Sequence, residues 1–490
     1  MSKLVTSATM FGETENGALT YVTSASKVLD LFAQGGALRS RSESEINQMV
    51  QKAYSEDPKL TIATLLYLRD IRGGQGEKRT FRTAIRYLYD TYQKDFTFIE
   101  SIFDAIVEVG SWKDIIDIFS VDEYYKYVES HWNDNSNLMF KWLPSIGGSS
   151  NNEAEYLAKK LGLTPRQYRK HLSKKRAELK LVETSMCKNE WSSINYEAVP
   201  SKAGLIYRNA FKKHDEERYR GFIDAARRAD GSVKINTGTL APYQLTEKYQ
   251  HDCRYDYYTV EEDPTIEAMW KNLPNYCDDS NSIVVADTSG SMTGMPMAIS
   301  TALAIYFAER NKGLFHNEFI TFSRKPRFYQ FREGMSLLER VREMVKLNIV
   351  ENTNIQATFD LLLKAAIDNH LPEEEMPKNI FIISDMEFDE AQKGSIYSWG
   401  NAPIPKTNFE VIEEKYKNAG YKRPTLIFWN VNSMNNNVPV KQDENGTILV
   451  SGSSASTFNM AISENINPYD YMLSVINKPR YKDLVEKIVK

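Results

Sequence analysis

The stretch SIVVADTSGSMTG, Ser282 to Gly294, decides how the chain is read. Its four consecutive apolar residues, Ile283 to Ala286, predict a buried strand. Asp287, Ser289 and Ser291 follow at once, so a carboxylate and two hydroxyls meet in one tight turn. Beyond Gly294, PMAISTALAIYFAER begins with Pro296, a good first helical residue, and predicts a mostly apolar helix. Strand, oxygen-rich turn and helix together are where open parallel sheets bind ligands.

Outward from this turn, residues 264–490 alternate strand and helix. Strands are expected at Glu318–Phe322, at a short edge Arg327–Phe331, and at Asn379–Ser384 and Thr425–Val431, with shorter ones near Val438 and Ile448. Helices are expected at Ser336–Leu347, Ile355–Ile367 and Asn408–Asn418, with a closing helix from Pro468 onward. Such alternation specifies a doubly wound α/β domain, mostly parallel and covered by helices on both faces.

Residues 1–263 carry a different pattern. After a polar start expected to be irregular, segments such as SKVLDLFAQGGALR, KLTIATLLYLRDIR, EKRTFRTAIRYLYDTY and FTFIESIFDAIVEVG place apolar residues at three- and four-residue spacing and end in Gly or a polar turn. Successive helices without strands predict a stacked, HEAT-like helical-repeat array, though no exact repeat is legible. The segment RGGQGEKR, Arg72–Arg79, is not a phosphate loop: Gly76 is followed by Glu77, and the preceding segment is helical. It is read as a helix-to-helix turn. From Gly231 to Asp263 periodicity fades, which sets the domain boundary near Asp263.

The chain has 490 residues and a net charge of −4. Charge is unevenly placed: Lys159 to Lys234 holds nineteen Lys and Arg against nine Asp and Glu, leaving about fourteen net negative charges elsewhere. On a helix capped by Thr164 and opened by Pro165, Arg166, Arg169, Lys170, Lys174, Lys175 and Arg176 make a basic face with His171 among them. Arg208, Lys212 and Lys213 extend the same sign. Such charge is a solvated surface or a phosphate-binding one. Three cysteines far apart, Cys187, Cys253 and Cys277, give no disulfide framework, and no apolar run is long enough to span a bilayer. A soluble, cytoplasmic monomer is expected.

Three loops of the sheet end in oxygen donors: Asp287, Ser289 and Ser291, then Thr353, then Asp385 in FIISDMEF. Carboxylate, hydroxyl and water oxygens suit a hard cation, with Mg²⁺ first and Mn²⁺ or Ca²⁺ as alternatives. Glu387 and Asp389 follow closely and are read as solvated loop residues.

D-x-S-x-S with a distant Thr and a strand-terminal Asp resembles the metal-ion-dependent adhesion site (MIDAS) of von Willebrand factor A domains. That resemblance assigns Asp287, Ser289, Ser291, Thr353 and Asp385 to one ion. With YLRDIRGGQGEKR, KWLPS, QYRKHLSKKRAELKLVE and INYEAVPSKA in the first half, the chain resembles the Ro ribonucleoprotein family and its TROVE module, nearest to uncharacterised plant and viral relatives. The resemblance implies a ring of helical repeats closed by the A domain, holding single-stranded or structured small RNA. An RNA contact is then expected at Arg166, Arg169, Lys170, His171, Lys174, Lys175, Arg176, Arg208, Lys212 and Lys213.

The expected function is a non-catalytic RNA-binding scaffold with a Mg²⁺-dependent site for an acidic protein ligand. The alternative is a metal-dependent protein-interaction module without RNA. Catalysis is disfavoured: haloacid-dehalogenase-type phosphatases place a second Asp two residues after the first, where this chain has Ser289, and no catalytic triad is legible among six histidines.

Overall fold

The structure is a computed structural model describing residues 11–490 apart from 98, 136, 257–258, 278–280, 323–324, 348–353, 389–407 and 460–465. Thr353 and Asp389 therefore lie outside the described residues.

The first half is the expected array, with helices running from Lys27–Gln34 through Pro58–Arg69, Arg79–Tyr92, Ile99–Val109 and Pro165–Glu178 to Tyr243–Tyr255 and Pro264–Lys271. Local sequence explains their limits. Ser42 and Glu45 form a capping box at the start of Glu43–Glu56, and Thr164 and Gln167 do the same ahead of Pro165. Helix Arg79–Tyr92 buries the stripe Phe81, Ala84, Ile85 and Leu88. Where Pro58–Arg69 passes its neighbours, buried Asp114 accepts Arg69 Nη2 at 2.6 Å and Arg82 Nε at 2.8 Å, so an internal carboxylate holds two helices.

From Phe11, where the described residues begin, the segment expected to be irregular forms a hairpin. Strands β1 (Phe11–Glu13) and β2 (Leu19–Tyr21) pair antiparallel as a hairpin. Tyr21 and Val438 exchange backbone hydrogen bonds at 3.1 and 2.8 Å, so the strand expected near Val438 is a single bridge to the hairpin.

The second half is a six-stranded sheet of β3 (Ser282–Asp287), β4 (Glu318–Phe322), β5 (Phe328–Gln330), β6 (Asn379–Ser384), β7 (Thr425–Asn430) and β8 (Thr447–Ser451). Their order is β5-β4-β3-β6-β7-β8, and only the β4–β5 pair is antiparallel. β3 lies inside the sheet with every residue buried, which is why its sequence reads as an unbroken apolar run. The expected closing helix is two, Pro468–Ile476 and Pro479–Ile488, because Pro479 lacks the N–H a continuous helix needs.

Both ends of the array rest on this α/β domain. At the first end, Ser451 Oγ on edge strand β8 donates to Phe32 O and accepts the Gly36 N–H, each at 3.0 Å. A Cβ at Gly36 would stand 2.8 Å from the Gly452 backbone, so the two segments cross at glycines. This contact also covers the sheet edge. The turn Arg72–Arg79 lies beside it, with Gln75 Nε2 donating to Thr457 Oγ1 at 3.0 Å. Helix Pro479–Ile488 packs on Pro58–Arg69 and Ile99–Val109. At the other end, Tyr243–Tyr255 packs on helices Met295–Arg310 and Leu337–Leu347. Trp270 Nε1 donates to Glu309 Oε2 at 2.5 Å, and Glu267 accepts the N–H groups of Leu337 and Leu338. Array and sheet domain thus form one closed circuit. The helix that follows Asp263 packs on Glu216–Arg227. Among the described residues no helix is long and apolar enough to cross a membrane.

Candidate cation site and basic helix face

β3 and β6 are adjacent and parallel, so their carboxyl ends bring Asp287 and Asp385 together. Ser384 Oγ, the last residue of β6, joins them: it donates to Asp287 Oδ2 at 2.6 Å and lies 3.4 Å from Asp385 Oδ1. The Ser289 N–H donates to Asp287 Oδ1 at 2.8 Å, and the Ser289 and Ser291 hydroxyls are 3.1 Å apart. Met386 takes a left-handed backbone, φ 68°, and turns the Glu387 N–H back onto Asp385 Oδ1 at 3.1 Å. A non-glycine residue in that region stores strain beside the acids.

Both carboxylates are buried, with Asp287 0% and Asp385 2% exposed. Burial first, and the charge of Asp385 second, push the Asp287 acid up to about 7. Burial raises Asp385 too, with Glu15 adding negative charge. Asp385 Oδ2 has no hydrogen-bond donor among the described residues. Two buried acids without a basic partner leave the turn short of positive charge. A hard divalent cation fits that deficit, with Asp287, Asp385, Ser289 and Ser291 able to hold it. Among the described residues no three His, Cys, Asp or Glu side chains come together, so hydroxyls and water would have to complete the set.

Glu387 is not a solvated loop residue. It is buried, and its carboxylate accepts the Glu15 N–H at 2.8 Å and Asn437 Nδ2 at 3.2 Å. Burial raises its acid. Ser384 was not singled out from the sequence; its signal is a polar residue ending an otherwise apolar strand directly before an Asp.

The ten basic-face residues divide by burial. Lys175 is buried, and its ammonium donates to Asn133 O, Asp134 O and Asn135 Oδ1 at 3.0 to 3.2 Å. Arg176 donates to Phe140 O, Ser145 Oγ and Leu143 O, each at 2.7 Å. These bonds pin the KWLPS segment, whose Pro144 O also accepts Tyr168 OH at 2.9 Å. His171 stacks on Trp132 at 4.4 Å, and Arg208 binds Asp263 Oδ2 at 2.7 Å. These four are therefore structural: helix Pro165–Glu178 turns Lys175, Arg176 and His171 inward, and helix Ser201–His214 sets Arg208 on Asp263. Arg166, Arg169, Lys170, Lys174, Lys212 and Lys213 are exposed, with no carboxylate partner among the described residues. Sequence reading missed Lys78, whereas Lys202 extends the basic block in the sequence; both are exposed, on distant stretches of the array. Burial lowers both, and Arg69, Arg82 and Lys202 lower Lys78 further, which marks a locally positive region.

A family model described as "Domain of unknown function (DUF2828)" matches residues 14–139 and 141–282, and another, "Domain of unknown function (DUF7788)", matches residues 281–475. The chain is 28% identical over 517 residues to "Uncharacterized protein L728" of Acanthamoeba polyphaga mimivirus, covering 94% of this chain and 86% of that protein. Among solved structures it is similar to the RO (RSR) protein of Deinococcus radiodurans, at 11% identity and a TM-score of 0.37, covering 93% of this chain and 100% of that one. Likeness at that score assigns no function.

Proposed function

The chain belongs to the DUF2828 family, and from that premise we propose that it is a non-catalytic, Ro-like RNA-binding scaffold whose α/β domain carries a divalent-cation site for an acidic protein ligand. The observation that carries the RNA reading is the set of exposed cations on helix Pro165–Glu178 with no carboxylate partner among the described residues, within an otherwise acidic chain. Arg166, Arg169, Lys170 and Lys174 would neutralise phosphates, and Lys212, Lys213, Lys78 and Lys202 would add to the field. Filter binding of single-stranded RNA tests it. Affinity should fall steeply with salt and drop when Arg166, Lys170 and Lys174 become Ala; no binding at low salt would refute the reading.

The cation reading rests on Asp385 Oδ2, buried beside Asp287 and without a hydrogen-bond partner among the described residues. A bound Mg²⁺ there would offer positive charge to a partner's carboxylate. Mn²⁺ should bind the full chain, as read by electron paramagnetic resonance, and Asp385→Asn should abolish it. Both oxygens of Asp287 are engaged by Ser384 and Ser289, which suits a cation ligand better than a free nucleophile.

The commitment of Lys175, Arg176, His171 and Arg208 to internal contacts, together with the net charge of −4, favours a second reading: a metal-dependent protein-interaction module without RNA. RNA-independent, chelator-sensitive capture of an acidic peptide would select it.

A further inference from the structure

The β1–β2 hairpin belongs by sequence to the helical half, yet its turn lies on the segment that follows Asp385. Thr14 Oγ1 donates to Phe388 O at 2.6 Å, the Glu15 N–H to Glu387 Oε2 at 2.8 Å, and Asn16 Nδ2 to Glu387 O at 2.7 Å. From the other side, the side-chain amides of Asn435 and Asn437 reach the same Glu387 carboxylate at 3.2 Å. Glu387 in turn gives its N–H to Asp385 Oδ1 at 3.1 Å. A continuous run of hydrogen bonds therefore joins the β1–β2 hairpin to a candidate cation ligand whose other oxygen is buried and has no hydrogen-bond partner among the described residues.

We propose that Glu387 is a positioning residue that couples seating of the N-terminal hairpin to occupancy of the cation site. The proposal rests on the cation reading above. Its sign follows from charge. Asp385 and Glu387 are buried acids on one path, and exposed Glu15, whose Oε1 lies 3.3 Å from Asn435 Nδ2, adds a third. Without a cation the three repel one another, and the hairpin carries part of that strain. A cation opposite Asp385 relieves it, so the hairpin seats more tightly when the ion is bound. By linkage, a seated hairpin strengthens ion binding by the same factor. The left-handed turn at Met386 holds the geometry, because it fixes where the Glu387 N–H points.

The experiment uses the full chain with Mn²⁺ as the probe and two readouts: ion affinity by electron paramagnetic resonance, and hydrogen exchange of residues 11–21 with and without the ion. Mn²⁺ is expected to slow exchange at Ala18 and Tyr21, whose amides donate to Thr14 Oγ1 and Val438 O. Glu387→Ala should weaken Mn²⁺ about 5-fold and erase that protection, while Glu387→Gln, which keeps acceptor oxygen, recovers part of both. Should Glu387→Ala not fold, Thr14→Ala and Asn16→Ala test the same path from the hairpin side. Mn²⁺ binding with no change in hairpin exchange, and equal affinity in Glu387→Ala, would overturn the coupling and leave the cation reading standing. Failure of the native chain to bind Mn²⁺ would overturn both.

Discussion

Asp70 and Arg480, 410 positions apart, form an ion pair with Nε and Oδ2 at 2.5 Å. It fastens helix Pro479–Ile488 to the turn after Pro58–Arg69, and Tyr481 OH and the Arg72 N–H donate to the same carboxylate at 3.0 Å. Burial by itself would raise the Asp70 acid; Arg480 and the other donors outweigh it and hold the acid below its ordinary 3.8. Arg480→Ala leaves a buried carboxylate with neutral donors only and should cost about 3 kcal/mol. Thermal melts check this, and an unchanged Tm would contradict it. Because the folded value is depressed, the contribution of Asp70 is complete above the unfolded value and lost as pH falls through the folded one. The Tm gap between native and Arg480→Ala chains should therefore narrow below about pH 4.

Glu267 has the opposite sign. Its carboxylate caps helix Leu337–Leu347, accepting the N–H groups of Leu337 and Leu338 at 3.0 and 3.2 Å, yet burial raises its acid above 4.5. A raised folded value means that its contribution is complete below 4.5 and lost as pH rises through the folded value. Glu267→Gln keeps an acceptor without the charge, so its Tm relative to the native chain should rise between acidic and alkaline buffer. Glu267→Ala should destabilise at every pH by about 1–2 kcal/mol, because it orphans two helix N–H groups.

The basic helix should separate into two classes of variant. Arg166→Ala, Lys170→Ala and Lys174→Ala combined should change the unfolding free energy by less than about 1 kcal/mol and lower the RNA salt slope by about 2. Lys175→Ala should do the reverse, lowering Tm while leaving the salt slope alone, since its ammonium holds carbonyls at Asn133 and Asp134.

Gly74 and Gly452 are fixed by space and backbone. A Cβ at Gly74 would stand 1.9 Å from Tyr67 O, and Gly452 has φ +109° with Gln75 Oε1 2.3 Å from the Cβ position. Either residue changed to Ala should destabilise by about 2 kcal/mol or more in a denaturant titration. Both changes would loosen the contact between the Arg72–Arg79 turn and the end of β8.

What the sequence discloses follows burial. β3, β6 and β7 are buried strands whose apolar runs stand out, and the helices of the array show stripes such as Phe81, Ala84, Ile85 and Leu88. The hairpin is illegible in the sequence because its strands are only three residues long and β1 is largely exposed, and their partners, Val438 and Glu387, lie hundreds of positions away. At the candidate cation site, spacing points to the grouping of Asp287, Ser289, Ser291 and Asp385, and Ser384 carries only the weak signal of a polar strand end, whereas the burial of Glu387 needs the neighbouring chain to be seen. Lys175 and Arg176 look like their neighbours in a charge run; only the helix phase turns Lys175 onto the Asn133 and Asp134 carbonyls and Arg176 onto the Leu143 carbonyl of KWLPS.

The closing helix gives the chain an awkward birth. Helices Pro58–Arg69 and Ile99–Val109 leave the ribosome nearly four hundred residues before Pro479–Ile488, the helix that covers them, and Phe96 waits as long for its bridge to Val489. Until Pro479–Ile488 is made, the apolar faces under that helix, Leu66 and Ile106 among them, stand open to water or to another chain. A nascent chain therefore carries these faces bare while nearly all of the sheet domain is made, and a stop ahead of Pro479 would leave its first helices uncovered.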